Sequence, residues 1–199
     1  MFPRHFLETS KSIIGEISLE DLDAVVLEVL DVRARGGRLF FCGSGGGAGH
    51  ASHACCDFRK LAGIESYCVT DNVSELTARI NDDGWDTAYS EWLRRARLGS
   101  RDGLFIFSVG GGDRSHQVST NIVAAVEYGR EVGASIIGVV GRDGGHVRRA
   151  ANASVLIPVV DPALVTPQTE GLQALLWHLI VSDPRLAVMP GKWESMGVP

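Results

Sequence analysis

Residues 40–58 restrict the possible folds of this chain more than any other segment. The apolar residues 38–42 predict a buried strand, the glycine-rich residues 43–49 predict a loop, and a helical pattern begins near His50. A strand, a glycine loop and a helix in this order present backbone N–H groups and a helix N-terminus to an anion, usually a phosphate. The segment therefore predicts an anion-binding turn.

The helix that follows this loop carries two polar side chains of a chemically useful kind. His53 and Asp57 are four residues apart, so they share one face of the helix. An imidazole and a carboxylate beside a phosphate-binding loop can bind a metal ion or move protons. We therefore treat this helix face as a candidate site.

Apolar and amphipathic segments alternate along most of the chain, which is typical of an α/β fold. Predicted strands cover residues 38–42, 65–70, 103–108, 135–140 and 155–160. Predicted helices cover residues 6–35 as a pair, a segment from residue 50, and residues 73–80, 85–97, 118–131 and 168–182, with a turn at 81–84. Because the strands are continuously apolar, we expect one five-stranded parallel sheet with helices on both faces.

The pattern divides the chain into three parts. Residues 1–35 form an N-terminal helical segment, residues 36–182 form the sheet domain, and residues 183–199 form a C-terminal tail with little periodicity. The helical segment precedes the first strand, so its helices are not crossovers within the sheet. Two alternatives are open for it: packing on another subunit, or packing on the chain's own sheet.

Charge and composition exclude several classes of protein. The net charge of −5 argues against nucleic acid as a partner, because phosphate backbones require a basic face. No apolar run reaches the ~20 residues of a membrane span. Residues 1–12 lack the apolar core of a secretory signal, so we expect a cytoplasmic protein. The cysteines at positions 42, 55, 56 and 68 match neither a disulfide framework nor a zinc spacing, which indicates reduced thiols.

Glycine-rich loops follow three of the five predicted strands, at residues 43–49, 110–112 and 141–145. In parallel sheets, ligands bind outside the carboxyl ends of the strands, where the strand order reverses. Three such loops at one edge predict a phosphorylated ligand held largely by the main chain.

The first loop also fits a weaker alternative, a dinucleotide-binding fingerprint. Gly43, Gly45 and Ala48 follow a strand at the required spacing, and Asp71 stands at the end of the next strand as a ribose partner. However, the loop holds more glycines than the fingerprint needs, and its helix carries an imidazole and a carboxylate where packing residues are usual. This alternative is the less favoured one.

The last predicted helix carries a second histidine and carboxylate. Glu170 and His178 lie along one stripe of that helix, eight residues apart. A histidine in so apolar a helix is more often a core residue than a ligand, but a glutamate on the same stripe favours a site. Together the two helices offer four ligands of the kinds that zinc takes. The spacing does not tell whether the helices meet.

These motifs together resemble the SIS (sugar isomerase) domain family, and within it the phosphoheptose isomerases. The resemblance rests on residues 42–47, His53, Asp57, residues 81–82, 108–113 and 141–145, and the stretch from Glu170 to His178. It implies a three-layer fold of the flavodoxin-like or Rossmann-like kind with a five-stranded parallel sheet. It also implies that the N-terminal helices build a homotetramer or homodimer.

The resemblance implies a reaction and a set of site residues. The reaction converts the ketose sedoheptulose 7-phosphate into the aldose D-glycero-D-manno-heptose 7-phosphate through an enediol. One zinc ion per site would be held by His53, Asp57, Glu170 and His178, with Asp57 as the base and His178 as the acid. The residues implied to bind the substrate and its phosphate are Ser44, Gly45, Gly46, Gly47, Asn81, Asp82, Ser108, Gly110, Gly111, Gly112, Arg114 and Ser115.

Three features depart from the family pattern. Asp57 stands where the family has Glu, so its carboxylate is one methylene shorter, and Glu170 stands where the family has Gln, which adds a negative charge. In the second loop, residues 108–113, glycines replace most of the family's hydroxyl side chains, so phosphate binding would rest more on backbone N–H groups. Two other functions stay open: a non-catalytic sugar-phosphate-binding SIS module, acting as a regulator or sensor, and a nicotinamide-dependent enzyme.

Overall fold

The structure, a computed structural model, describes residues 1–192 and 194–196. The α-helices of these residues are α1 (Phe2–Glu16), α2 (Leu19–Ala34), α3 (Gly46–Lys60), α4 (Val73–Asp83), α5 (Ala88–Arg95), α6 (Thr120–Glu131), α7 (Gly145–Ala150) and α8 (Val165–Val181). Two short 3-10 turns cover Pro162–Leu164 and Glu194–Met196. None of the described helices combines the length and hydrophobicity that a membrane span requires.

The strands form one parallel sheet, as predicted. They are β1 (Leu39–Gly43), β2 (Ser66–Cys68), β3 (Gly103–Ser108), β4 (Ser135–Val140) and β5 (Ala153–Leu156), in the order β2-β1-β3-β4-β5. Every neighbouring pair is parallel. The strand order reverses between β1 and β3, so the crevice above these two strands is the expected ligand site.

Helices cover both faces of the sheet, which explains why the strands are continuously apolar. Every residue of β1, β3 and β4 is buried. One hydrophobic core lies between the sheet and helices α2, α3 and α8, and a second core lies between the opposite face and helices α5, α6 and α7. The predicted three-layer α/β architecture is confirmed.

The two N-terminal helices are packed differently. Helix α2 lies on β4 and β5, and its residues Val25, Val29 and Val32 are fully buried, so it belongs to the core of its own chain. Helix α1 buries only Ile13 among its own residues, and it exposes large apolar side chains. These are Phe2, Leu7 and Ile14. Of the two alternatives, packing on the chain's own sheet is therefore correct for α2.

The prediction that the helix after β1 starts near His50 is wrong, because α3 starts at Gly46. Glycine is required here by close backbone packing rather than by a loop. A Cβ atom on Gly43 would lie 2.2 Å from the carbonyl carbon of Gly47, and one on Gly47 would lie 2.6 Å from the carbonyl oxygen of Phe107. The first turn of α3 therefore rests directly on the ends of β1 and β3.

Three smaller expectations also need correction. Residues 81–83 continue helix α4 instead of forming a turn, and α7 was not predicted, because its glycine-rich start suggests a loop. The start of the predicted tail is packed against the domain: Leu186 is fully buried, and its carbonyl oxygen accepts a hydrogen bond from Arg33 Nη1 at 2.8 Å. Residue 193 and residues 197–199 of that tail lie outside the described residues.

Two glycines of α3 allow a matched test of this packing. Gly47→Ala should lower the unfolding temperature, because the added methyl group meets backbone that cannot move aside. Gly49→Ala should raise the free energy of unfolding by up to about 1 kcal/mol. The new methyl group would have no neighbouring atom within 4 Å, and alanine is a better helix former than glycine. Calorimetry of the two variants checks both signs, and equal effects would contradict the packing described above.

A buried carboxylate holds the amino ends of the central strands β1 and β3. Asp102 is 5% exposed, and its carboxylate accepts hydrogen bonds from Arg38 Nη2 at 2.8 Å, from the Arg38 backbone N–H and from the Gly99 backbone N–H. Burial alone would raise the pKa of Asp102, but these hydrogen bonds outweigh it and hold the pKa below its usual value. The ionised form therefore stabilises the fold.

This ion pair predicts how stability depends on pH. The contribution of Asp102 is fully present above the usual carboxyl pKa of about 4 and is lost as the pH falls through the lower pKa of the folded state. Asp102→Asn should cost roughly 1–3 kcal/mol at neutral pH and less in acid. Urea unfolding at acidic and neutral pH measures the free energy of unfolding of the variant and of the wild-type protein. Glu8→Gln, on the exposed side of α1, is the control and should leave the pH dependence unchanged. An unchanged pH dependence in Asp102→Asn would contradict this assignment.

Candidate active site

Helices α3 and α8 lie side by side on one face of the sheet and run in the same direction. Near their N-termini, a Cβ atom on Gly46 would lie 2.4 Å from the carboxyl carbon of Glu170. Further along, the ring centroids of His53 and Trp177 are 4.7 Å apart. The polar stripes that the sequence predicted on the two helices therefore face each other along their length.

Three side chains of these helices converge. Asp57 Oδ2 lies 3.7 Å from His53 Nε2 and 4.0 Å from His178 Nε2. The ligand atoms of the three residues all lie within 4.8 Å of one another. Asp57 is the most enclosed, with 17% of its side chain exposed, whereas the side chains of His53 and His178 are 60% and 49% exposed. The sequence alone did not show that the helices meet; the structure brings these three predicted residues together.

The proton on His178 is assigned by its surroundings. Its Nδ1 lies 2.7 Å from the carbonyl oxygen of Ala174, which only accepts hydrogen bonds, so Nδ1 carries the hydrogen in the neutral ring. This leaves Nε2, 4.0 Å from Asp57 Oδ2, with a lone pair that can accept a proton or bind a metal ion. The ring of Trp177, 1% exposed, stacks on His178 at a centroid distance of 3.4 Å and limits rotation of the imidazole.

The donor set of this cluster fits a catalytic metal ion. Two imidazole nitrogens and one carboxylate oxygen are a common set of protein ligands in catalytic zinc sites, which keep one further position open. Bond lengths of about 2.0–2.1 Å place tetrahedral ligands about 3.4 Å from one another. The separations of 3.7 Å and 4.0 Å need only small side-chain movements to reach this value.

Glu170 lies outside this three-residue cluster. Glu170 lies two turns before His178 on α8, about 12 Å away along the helix axis. Its carboxylate packs against Gly46 at the start of α3. Nearby on α3 is His50. Burial lowers the pKa of His50, and the negative charge of Glu170 opposes this shift without cancelling it. Glu170 therefore contributes negative potential between the first loop and the cluster.

The predicted phosphate-binding residues of the first loop lie at the crevice between β1 and β3. Ser44 is half-buried, and its Oγ accepts a hydrogen bond from Asn121 Nδ2 at 3.1 Å. Gly45, Gly46 and Gly47 follow it into the first turn of α3. In the second loop, Ser108 Oγ accepts a hydrogen bond from the Gly111 N–H at 3.0 Å, so this hydroxyl stabilises the loop itself.

Other predicted residues are engaged elsewhere. Arg114 pairs with Glu127 at 2.5 Å, and the Ser115 hydroxyl donates to Asp113 at 2.6 Å within an exposed turn. Gly110 and Gly112 line a cavity of about 510 Å³ together with Arg142 and Arg149, and none of the three clustered residues lines it.

The last two predicted substrate-binding residues, Asn81 and Asp82, lie near the end of α4 and in neither glycine loop. Asn81 and Asp82 are exposed and bond to each other, with Asn81 Nδ2 donating to Asp82 Oδ1 at 2.8 Å. The structure does not bring either side chain into the cluster of His53, Asp57 and His178.

Sequence reasoning missed two residues beneath the first loop, Asn121 and Tyr89. Asn121 lies in the first turn of α6 and is fully buried, and the Tyr89 hydroxyl donates to the Gly43 carbonyl oxygen at 2.8 Å. The signal available in the sequence is a run of residues favoured at helix N-termini, Ser119-Thr120-Asn121, just before an apolar helical segment. It indicates a helix boundary but not which side chain turns inward.

Comparisons with known proteins agree with the geometry. The SIS domain matches residues 5–141 of the chain. The chain belongs to the SIS domain family. Phosphoheptose isomerase of Rhodospirillum rubrum is 29% identical over 174 residues, which cover 84% of this chain and 85% of that protein. The structure of phosphoheptose isomerase GmhA from Neisseria gonorrhoeae superposes with a TM-score of 0.75 at 28% identity, covering 90% of this chain and 94% of that one.

A further relative differs in length and name. The lincomycin biosynthesis protein LmbN of Streptomyces lincolnensis is 31% identical over 187 residues, which cover 89% of this chain and 66% of LmbN. The chain thus spans about two thirds of that relative. The predicted resemblance is confirmed: over most of its length this SIS domain is similar to sugar-phosphate isomerases.

Proposed function

We propose that this SIS protein is an aldose–ketose isomerase that acts on a sugar phosphate. The substrate we favour is sedoheptulose 7-phosphate, and the product is D-glycero-D-manno-heptose 7-phosphate. The observation that carries the proposal is the convergence of Asp57, His53 and His178 at the contact of α3 and α8, in a chain similar to named phosphoheptose isomerases. We also propose a homotetramer or homodimer in the cytoplasm, with the exposed apolar side of α1 as the contact surface between subunits.

The chemistry of the cluster suits proton transfer between neighbouring carbons. In our proposal, the Asp57 carboxylate removes a proton from C1 of the ketose, which leaves an enediolate. The protonated Asp57 exchanges with solvent in part of the turnovers and then delivers a proton to C2. Without a metal ion, His178 would move a proton between the two oxygens through Nε2, because its Nδ1 is bound to the Ala174 carbonyl. A zinc ion on Nε2 would instead stabilise these oxygens as a Lewis acid. Binding of the phosphate at the first loop would hold the far end of the sugar and orient its reacting carbons.

We further propose that the site holds one zinc ion. Its ligands would be His53, Asp57 and His178, with Glu170 as a fourth residue that reaches it only if its side chain leaves Gly46. A bound zinc ion supplies Lewis acidity towards the carbonyl and hydroxyl oxygens of the sugar. The negative charge of Glu170 would favour a cation here.

Isotope exchange tests the reaction. Incubation with sedoheptulose 7-phosphate in deuterated water, with and without zinc, should yield aldose product with deuterium at C2. Asp57→Asn should lower the exchange rate by roughly 10²–10⁴-fold, because the base is lost while the side-chain volume is kept.

The control variant for this assay is Glu131→Gln, an exposed carboxylate at the end of α6 and outside the cluster and the three loops, which should retain wild-type exchange. Because LmbN is named for antibiotic biosynthesis, ketose phosphates with shorter and longer chains belong in the same assay. Absence of exchange with every substrate would contradict the isomerase proposal and favour the non-catalytic sugar-phosphate-binding module.

Zinc binding has a readout that does not require turnover. Zinc should raise the unfolding temperature of the wild-type protein, because a ligand that binds only the folded state stabilises it. The shift should be lost in His53→Ala and in His178→Ala, and it should persist in His116→Ala, a histidine in the exposed turn after β3. Equal shifts in all four proteins would place the metal elsewhere.

A further inference from the structure

A cavity of about 510 Å³ lies between the loops that follow β3 and β4. Two arginines line it, Arg142 in the loop after β4 and Arg149 on α7, together with residues of the two glycine-rich loops. None of the described residues that line it belongs to the first loop or to the cluster of His53, Asp57 and His178. The cavity lies at the edge of the sheet where the strands carry their carboxyl ends, and its size suits a small molecule.

The two loops that form the cavity are joined through their backbones. A Cβ atom on Gly111 would lie 1.8 Å from the carbonyl oxygen of Gly144, so the loops pack closer than any side chain there would allow. In α7, the N–H group of His146 donates to the carbonyl oxygen of Gly112 at 2.9 Å. The N–H group of Val147 donates to the carbonyl oxygen of Gly111, also at 2.9 Å. The walls of the cavity are therefore held in place before any ligand binds, which lowers the cost of binding.

Arg142 has an unusual backbone conformation for an arginine. Its φ angle is 54°, in the left-handed region that glycine adopts most readily. A residue with a side chain costs folding free energy in this conformation, and such residues are found most often at functional sites. The side chain of Arg142 extends across the second loop, because a Cβ atom on Gly110 would lie 3.6 Å from Arg142 Cδ and 3.8 Å from its Nη1.

Both guanidinium groups of the cavity can take a ligand. Arg142 and Arg149 are exposed, and neither side chain has a hydrogen-bond or ion-pair partner within residues 1–192 and 194–196. A guanidinium group binds a phosphate through two parallel N–H···O bonds, which give direction as well as attraction. In a protein with a net charge of −5, two such arginines around one small cavity favour an anionic ligand.

The two carboxylates that line the cavity are engaged with other partners. Asp113 accepts a hydrogen bond from the Ser115 hydroxyl at 2.6 Å and lies 2.7 Å from His116 Nδ1. These hydrogen bonds hold the pKa of Asp113 well below its usual value, so its charge is stabilised within its own turn. Asp143 accepts a hydrogen bond from the N–H group of Gly145 at 3.3 Å. Neither carboxylate therefore neutralises the two arginines.

We infer that Arg142 and Arg149 bind a phosphate group in this cavity. The ligand is a phosphorylated small molecule, because the cavity is too small for a macromolecule. Two sources have this chemistry: the phosphate of the sugar whose carbons reach the cluster, and a second phosphorylated molecule that binds beside that sugar. The inference does not depend on the proposed reaction, because none of the residues that line the cavity belongs to the cluster.

Arg142→Gly tests the inference, because glycine suits the left-handed backbone and the substitution removes the guanidinium group. The variant should unfold at the wild-type temperature or above it. In calorimetric titrations with inorganic phosphate, it should bind about 10- to 100-fold more weakly than the wild-type protein, the effect of losing hydrogen bonds to a charged group. Arg149→Gln should weaken phosphate binding in the same direction and leaves the backbone of the loops unchanged.

Arg97→Gly is the matched control. Arg97 also has a positive φ angle, 57°, and it follows α5 at the amino ends of the strands, where its carbonyl oxygen accepts a hydrogen bond from Arg38. The control therefore removes the same side chain from the same backbone conformation, far from the cavity. It should keep the wild-type affinity for phosphate.

Unchanged phosphate affinity in Arg142→Gly would overturn the inference, because Arg142 would then be a turn residue only. An equal loss in Arg97→Gly would also overturn it, because the attraction would then be unspecific. The isomerisation assay distinguishes the two sources. If the sugar's own phosphate occupies the cavity, KM should rise in Arg142→Gly with kcat nearly unchanged, and if a second molecule occupies it, KM should stay at the wild-type value. Absence of isomerisation, with phosphate binding still dependent on Arg142, would refute only the proposed reaction.

Discussion

The close backbone contact between α3 and the ends of β1 and β3 is the constraint on which the rest of the site depends. Gly43 and Gly47 allow the first turn of the helix to lie against the strands, with Phe107 as the second point of contact. A side chain at either glycine would lift the helix from the sheet. His53 and Asp57 would then move with it, because they lie on the same rigid helix. The precision of the candidate site therefore comes from residues without side chains.

A second contact sets the lateral position of the site. Helix α8 lies beside α3, and the aromatic ring of Trp177 packs against both histidines. Because this ring is almost fully buried, it ties the polar cluster to the hydrophobic core beneath it. The cluster is thus partly open to solvent on one side and rigid on the other, which is the arrangement expected of a site that must admit a ligand and keep its geometry.

The sequence predicted the central strands well, the fifth strand only in part (residues 155–160, against Ala153–Leu156 in the structure), and the site in part. The bounds of β3 and β4 were predicted to the residue, because continuous apolar runs end at turn residues there. The start of α3 was missed because glycines that allow close helix–strand packing look the same in a sequence as glycines that form a loop. Helical spacing places His53 with Asp57 on one face of α3 and Glu170 with His178 on one face of α8. The contact between these two faces depends on the packing of helices that are far apart in the chain. Asn121 was missed because a polar residue in a helix's first turn is usually exposed.

The parallel course of α3 and α8 has a consequence for the length of any ligand that reaches both the first loop and the cluster of His53, Asp57 and His178. Between Gly46 at the loop and His53 at the cluster, α3 rises by about 10 Å. A molecule anchored by its anionic end at Ser44 must extend along this stretch of helix before its far carbons come near Asp57. The span between the two points therefore sets a minimum length for such a molecule, and one shorter than about 10 Å would not reach both.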